Sequence, residues 1–203
     1  MEFLELLWYH KDKSVGEGLP LPDSNITKRA LAAALKELMQ DRPFIKISVG
    51  DICEKCEMNR KSFYYHFKDK YDLVNWIYYA EFITAVQGKE YKGNWSFIND
   101  LCVYFYENRD FYRKTLQIEG QNSFSEYFAE IVSAILSEEL KNIFAEEESI
   151  DFFVNFYTDA FVCAIKRWLL GNDCIPPEEF IALLRKCLIG ISDTVVQRLQ
   201  SEK

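Results

Sequence analysis

Residues 59–67 read Asn59-Arg60-Lys61-Ser62-Phe63-Tyr64-Tyr65-His66-Phe67. Phe63 and Phe67 are four apart, so on a helix they share one face and can meet a core. Arg60, Lys61, Ser62, Tyr64, Tyr65 and His66 are left for the outer surface. Just upstream, Ser48 is placed to cap a short helix over Val49–Cys56, with Val49, Ile52 and Cys53 facing inward. Glu57-Met58-Asn59 is a three-residue link between the two. Two short helices joined by so tight a link predict helix-turn-helix geometry, in which the first helix braces and the second enters the major groove of DNA. The outer set holds the donors this needs: Arg for guanine edges, and Lys, Ser and Tyr for phosphates. Two adjacent exposed tyrosines with nothing to touch would be poor surface chemistry. The alternative is an ordinary solvated helix face.

Upstream, Ser24 or Asn25 can cap a helix starting at Ile26, with Leu31, Leu35 and Leu38 on one face, Lys28, Arg29 and Lys36 towards solvent, and Pro43 as its stop. Residues 1–23 end in Gly16, Gly18, Pro20 and Pro22 and read as a flexible lead-in. Downstream, a fourth helix starts near Asp69, with Asp69 and Asp72 suited to its positive end. Helical spacing returns at Trp95–Phe105, about Asp110–Ile118, Phe124–Leu136, Ile150–Leu170 and Phe180–Leu199. Gly171 is placed to cap the Ile150–Leu170 helix, and Pro176-Pro177-Glu178-Glu179 to start the last one. Clean strand alternation is absent. The expected fold is all-α with about nine helices: an extension over 1–23, a helix-turn-helix domain over 24–75, and a helical body over 76–203.

Composition agrees. Of 203 residues, 49% are hydrophobic and 28% charged, enough to build a core, while 8 Gly and 5 Pro are few for a loop-rich β protein. No apolar run approaches the roughly 18 residues of a membrane span. Met1–Tyr9 carries Glu2 and Glu5, without the basic flank and small-residue cleavage site of a signal peptide. Cys53, Cys56, Cys102, Cys163, Cys174 and Cys187 are therefore expected as free thiols in a cytoplasm. The net charge of −8 argues against a nonspecific polyanion binder, but it is unevenly spread. Residues 24–75 carry a net +3, whereas 1–23 carry −3 and 76–203 carry −8. A basic segment on an acidic body fits one part meeting a polyanion while the rest stays clear.

Enzyme readings find little. Cys53 and Cys56 form one C-x-x-C pair with no second pair and no preceding strand, so core packing is the expected role. The only histidines are His10, in the lead-in, and His66, in the outer set. That excludes a His-rich metal site and leaves no plausible His for a nucleophilic triad. No Gly-rich phosphate loop occurs. Neither cofactor nor metal is expected, and the chain is not expected to be an enzyme.

Two tracts now carry a resemblance: Ile47-Ser48-Val49-Gly50-Asp51-Ile52-Cys53-Glu54, and Asn59 through Leu73 with its pattern Phe63-Tyr64-x-His66-Phe67-x-x-Lys70-x-x-Leu73. Thr27 through Phe82 resembles the DNA-binding domain of TetR-family transcriptional regulators. The resemblance implies that the third helix is the recognition helix. Tyr64, Tyr65 and His66 then match the usual contact run, and Thr27 and Ser48 match cap positions that touch phosphates. Asn59, Arg60, Lys61 and Ser62 complete the DNA set. Lys70, at the start of the fourth helix, would reach a phosphate with help from the helix N-terminus. One departure is Glu57, where the family commonly has Gly. A left-handed backbone there would cost a non-glycine residue about 1 kcal/mol.

The last two helices are apolar around much of their circumference, so each is expected to be buried on two faces. One face can meet the core and the other a second subunit, with Phe153, Phe161, Leu184, Leu188, Ile191 and Val195 as the candidate dimer surface. Full burial within a monomer is the alternative. The resemblance also implies a small effector held in the body, and Phe82, Phe105, Tyr106, Phe111, Tyr112, Phe128, Tyr157 and Trp168 are candidates to line its pocket. Plain core is the more ordinary role for each. The expected function is thus a homodimeric repressor that reads a palindromic operator in double-stranded DNA under the control of a small ligand.

A second reading comes from two tracts of the body. Glu107-Asn108-Arg109-Asp110-Phe111-Tyr112-Arg113-Lys114 with Gly120-Gln121-Asn122-Ser123-Phe124, and Phe161-x-x-x-Ile165-x-Arg167-Trp168-Leu169, are similar to a subgroup that includes activators of dihydroxyacetone kinase operons. That subgroup works with a partner protein. The resemblance therefore implies a coregulator or activator whose output depends on an effector-binding partner protein. A body without room for a small molecule, beside an exposed apolar patch, would favour this form.

Overall fold

The computed structural model describes residues 22–91, 94–118, 120, 123–143 and 149–187. The lead-in up to residue 21, including His10, lies outside them, as do Leu188, Ile191 and Val195. The described residues form nine α-helices and no strand.

Helix α1 (Pro22–Asp41) begins four residues before the expected Ile26. Proline at its first position explains the early start, because its fixed φ suits a first turn and its missing N–H is not needed there. Leu31, Leu35 and Met39 bury one face. The helix stops before Pro43, and a 3-10 turn (Phe44–Lys46) leads to α2 (Val49–Lys55). Helix α3 (Arg60–His66) follows across the turn at Glu57. Helix α4 (Lys70–Tyr78) continues through a π-helical turn (Tyr79–Ile83) into a last turn (Thr84–Val86). The Thr84 hydroxyl donates to the Tyr79 carbonyl at 3.1 Å across that widened turn.

The body comprises α5 (Asn94–Glu107), α6 (Arg109–Leu116), α7 (Phe124–Ile143), α8 (Ile150–Leu170) and α9 (Pro177–Arg185). Helices α7 and α8 pack along each other, α9 lies on α5, and α6 touches both α1 and α8. Gly171 ends α8 as expected, but with φ −60° and ψ 147° it is extended, not left-handed. A side chain there would crowd the Arg167 carbonyl at 3.2 Å.

One buried apolar cluster runs from Leu31 in α1 to Ile181 in α9. Helix α4 belongs to both halves. Its Tyr71 and Trp76 meet Phe44 and Phe67 of the head, while Tyr78 and Phe82 meet Phe105 and Phe97 of the body. Polar ties join the halves as well. Lys36 on α1 pairs with Glu81 in the π turn at 2.5 Å, and Lys114 on α6 donates to the Met39 and Gln40 carbonyls that end α1. Lys36 is thus engaged, where the sequence left it to solvent. Among the described residues no helix is long and apolar enough to cross a membrane.

Candidate nucleic-acid interface

Local rules build the reading unit. The Ser48 hydroxyl accepts from the Asp51 amide at 3.1 Å, and the Asp51 carboxylate accepts from the Ser48 amide at 2.7 Å, a reciprocal cap that starts α2. Hydrogen bonds from Ser48 hold the Asp51 carboxyl down to about 2, with Arg42 adding a further contact at 3.3 Å. Asn59 caps α3, its Oδ1 accepting from the Ser62 amide at 2.8 Å and from the Ser62 hydroxyl at 3.2 Å. Between the caps, Glu57 takes φ 55°, the left-handed region in which the sequence expected strain.

Phe63 and Phe67 are buried and fix α3 to the core. Tyr64 is 58% exposed and Tyr65 82%, side by side on the outer face. Asn59, Arg60 and Lys61 are also exposed. His66 is half-buried, edge-on to the Tyr65 ring at 4.9 Å. Burial, and then Lys28, push its pKa below the usual imidazole value, favouring the neutral ring. Thr27 is half-buried on the second turn of α1.

Lys70 is placed differently from the other candidates. Its ammonium donates to the carbonyls of Phe44 at 2.9 Å, Ile45 at 3.3 Å and Ile47 at 2.7 Å, and lies 4.6 Å from the Phe44 ring centre. An ammonium has three protons, and all three have acceptors here. The first-turn amides of α4 are engaged too, since Asp69 Oδ1 accepts from Tyr71 at 2.8 Å and Asp72 at 2.9 Å. Both features enlisted for a phosphate are thus bound internally, and Lys70 fastens α4 to the segment that leads into α2.

Cys53 is buried and Cys56 half-buried, with the Cys56 thiol donating to the Ile52 carbonyl at 3.2 Å. Burial pushes both thiols up, away from the reactive thiolate.

The body's eight pocket candidates pack mainly on neighbouring rings. Phe82, Phe105, Tyr112, Phe128 and Trp168 are buried, while Tyr106, Phe111 and Tyr157 are half-buried. Phe105 stacks on Tyr78 at 5.7 Å, Phe128 on Phe124 at 6.1 Å, and Trp168 on Phe180 at 4.3 Å. Tyr78 and Phe124, at the centre of this packing, are not among the eight, because nothing local separates them from other aromatic core positions. Among the hollows that open on the surface of the described residues are two of about 440 Å³, one lined by residues from Ser48 to Arg60 and one by Cys163, Lys166, Arg167, Leu170 and Gly171. None of the eight aromatics lines either.

Of the dimer candidates, Phe153, Phe161 and Leu184 are half-buried, and the latter two pack against the core. Among the described residues, the large exposed apolar side chains of α8 and α9 are Phe152 and Phe156, 66% and 57% exposed and stacked at 6.3 Å, and Leu183.

Residues 30–77 match the family model described as bacterial regulatory proteins, tetR family, and residues 93–190 match one described as a transcriptional regulator C-terminal region. The chain is 30% identical over 160 residues to the HTH-type dhaKLM operon transcriptional activator DhaS of Lactococcus lactis subsp. lactis (strain IL1403), an alignment covering 73% of this chain and 82% of that protein. Two solved structures share the fold. One is a dihydroxyacetone kinase operon activator DhaS, with TM-score 0.57, 24% identity, and coverage of 82% of this chain and 97% of that one. The other is a TetR transcriptional regulator from Streptococcus agalactiae 2603V, with TM-score 0.62, 20% identity, and coverage of 79% and 92%. The chain belongs to the TetR family of transcriptional regulators.

Proposed function

We propose that this regulator is a cytoplasmic homodimer that binds a palindromic operator in double-stranded DNA and activates the operon it controls, with a partner protein as its input. Residues 24–75 are the reading head and 76–203 the body. Asn59, Arg60, Lys61, Ser62, Tyr64, Tyr65 and His66 form the surface presented to the duplex, with Thr27 and Ser48 beside it. The observation that carries the DNA reading is the Tyr64–Tyr65 pair, exposed on a helix whose Phe63 and Phe67 are buried. Phe152, Phe156 and Leu183 supply the apolar surface for pairing, and two-fold pairing doubles the contacts and fixes the half-site spacing.

Activation is favoured over repression by the relative that is named an operon activator, and a dihydroxyacetone kinase operon is the corresponding target. A partner protein is favoured over a small ligand because candidate pocket rings such as Phe105, Phe128 and Trp168 are stacked on neighbouring core rings. A ligand enclosed there would have to displace stacked rings. The test is recovery of genomic fragments bound by the purified protein, followed by transcription from the recovered promoter with and without cell extract. Transcription that rises only when protein and extract are both present supports the reading. Transcription that falls on adding the protein alone, and recovers with a small-molecule fraction, contradicts it.

A further inference from the structure

Gly50 sits in the first turn of α2 with ordinary helical backbone, outside the positive-φ glycines of this chain. The backbone therefore does not require glycine, and glycine inside a helix is destabilising relative to alanine. The space beside it supplies the reason. A Cβ at position 50 would stand 2.5 Å from a terminal nitrogen of Arg60 and 3.2 Å from its Cζ. The Arg60 guanidinium, from the first position of α3, is turned back across α2 and occupies the place a side chain would take. It closes one wall of the hollow lined by Ser48, Asp51, Glu54 and Asn59. Asp51 on that rim is already engaged by Ser48 and Arg42. Among the described residues, Arg60 has no hydrogen-bond or ion-pair partner, so its five donors are uncommitted, whereas those of Lys70 are spent.

We propose that Gly50 is a positioning residue that holds the Arg60 guanidinium over the first turn of α2 as a clamp on a DNA backbone phosphate, and not as a reader of a base. The inference rests on the DNA-binding reading above. In a helix-turn-helix the first helix crosses the sugar–phosphate backbone while the second lies in the groove. A guanidinium lying on the first helix is at that backbone edge. Its planar fork suits a phosphate's two oxygens. A phosphate contact fixes register and contributes affinity without sequence information.

The experiment compares the wild-type chain, Gly50→Ala, Arg60→Ala and the double variant. Each is titrated against two probes, the duplex that wild type selects from a random pool and an unrelated duplex, over a range of salt, and each is also melted. The added methyl meets the far end of a flexible side chain, so Gly50→Ala displaces the guanidinium and leaves the fold intact. Gly50→Ala is expected to melt at or above the wild-type temperature. It should bind both duplexes more weakly by the same factor, about tenfold, and lower the slope of log affinity against log salt by about one. In the Arg60→Ala background it should change binding little. The inference is overturned by wild-type affinity in Gly50→Ala, by a loss confined to the selected duplex, or by a loss that persists without Arg60. A wild-type chain that retains no duplex at all overturns the DNA-binding reading, and the inference with it.

Discussion

Lys70 donates to the carbonyl of Ile47 at 2.7 Å, joining the first residue of α4 to the residue that precedes the Ser48 cap. With the Phe44 and Ile45 carbonyls it makes the lysine a fastener between α4 and the entry to α2. The bracing helix is thereby held from the far side of the reading unit. Lys70→Met is expected to destabilise the chain by about 1–2 kcal/mol, the scale of a charge-assisted hydrogen-bond cluster at a half-exposed site. Denaturant unfolding measures this. DNA affinity should fall only in conditions where the variant is partly unfolded. Unchanged stability with a uniform loss of affinity would return Lys70 to the role of a direct phosphate contact.

Glu57 holds φ 55° in the turn between α2 and α3. Glu57→Gly relieves the left-handed strain and is expected to stabilise the chain by up to about 1 kcal/mol, part of the gain being offset by the greater freedom of an unfolded glycine. It also removes an acidic group beside the reading helix, so DNA affinity should rise most at low salt. Chemical unfolding and a salt-dependent titration check the two effects separately.

The His66 pKa lies below the ordinary value of 6.5, because burial disfavours the charged ring. The unfolded chain therefore takes up a proton that the folded chain resists. Stability associated with His66 is complete above pH 6.5 and is lost as pH falls through that value towards the folded pKa. Replacing His66 with Gln should flatten the stability profile below about pH 6.5. A profile identical to wild type would mean that the ring titrates alike in both states.

Phe152 and Phe156 place two stacked rings in solvent on α8. Changing both to Glu is expected to give a monomer that melts close to wild type, since neither side chain is buried within one chain. Binding to a palindromic duplex should drop by at least about tenfold because the second half-site is lost. Analytical ultracentrifugation reads the first effect. A variant that remains dimeric would move the pairing surface elsewhere.

Much of the reading unit was legible in the sequence because its rules are local. Ser48 and Asn59 cap helices that begin one residue later, and Phe63 and Phe67 lie one turn apart. The start of α1 was misplaced because a proline can serve as a first helical residue as well as a loop residue. Lys70 was not legible, since its acceptors lie 23 to 26 residues upstream and belong to a turn whose path only tertiary packing decides. The exposed row of α8 was missed for a related reason. Phe152, Phe153, Phe156 and Tyr157 are all aromatic, so periodicity cannot say which pair faces out; the packing of α7 and α8 does. The role of Gly50 is likewise visible only once the course of Arg60 is known.

The most direct measurement is selection from a random duplex pool by wild-type protein and by the Tyr64→Ala/Tyr65→Ala variant. Wild type should enrich a two-fold symmetric sequence whose half-sites repeat at about one helical turn, roughly 34 Å. The variant should melt like wild type and enrich nothing. Failure of wild type to enrich any sequence, or enrichment of the same sequence by the variant, would contradict the account.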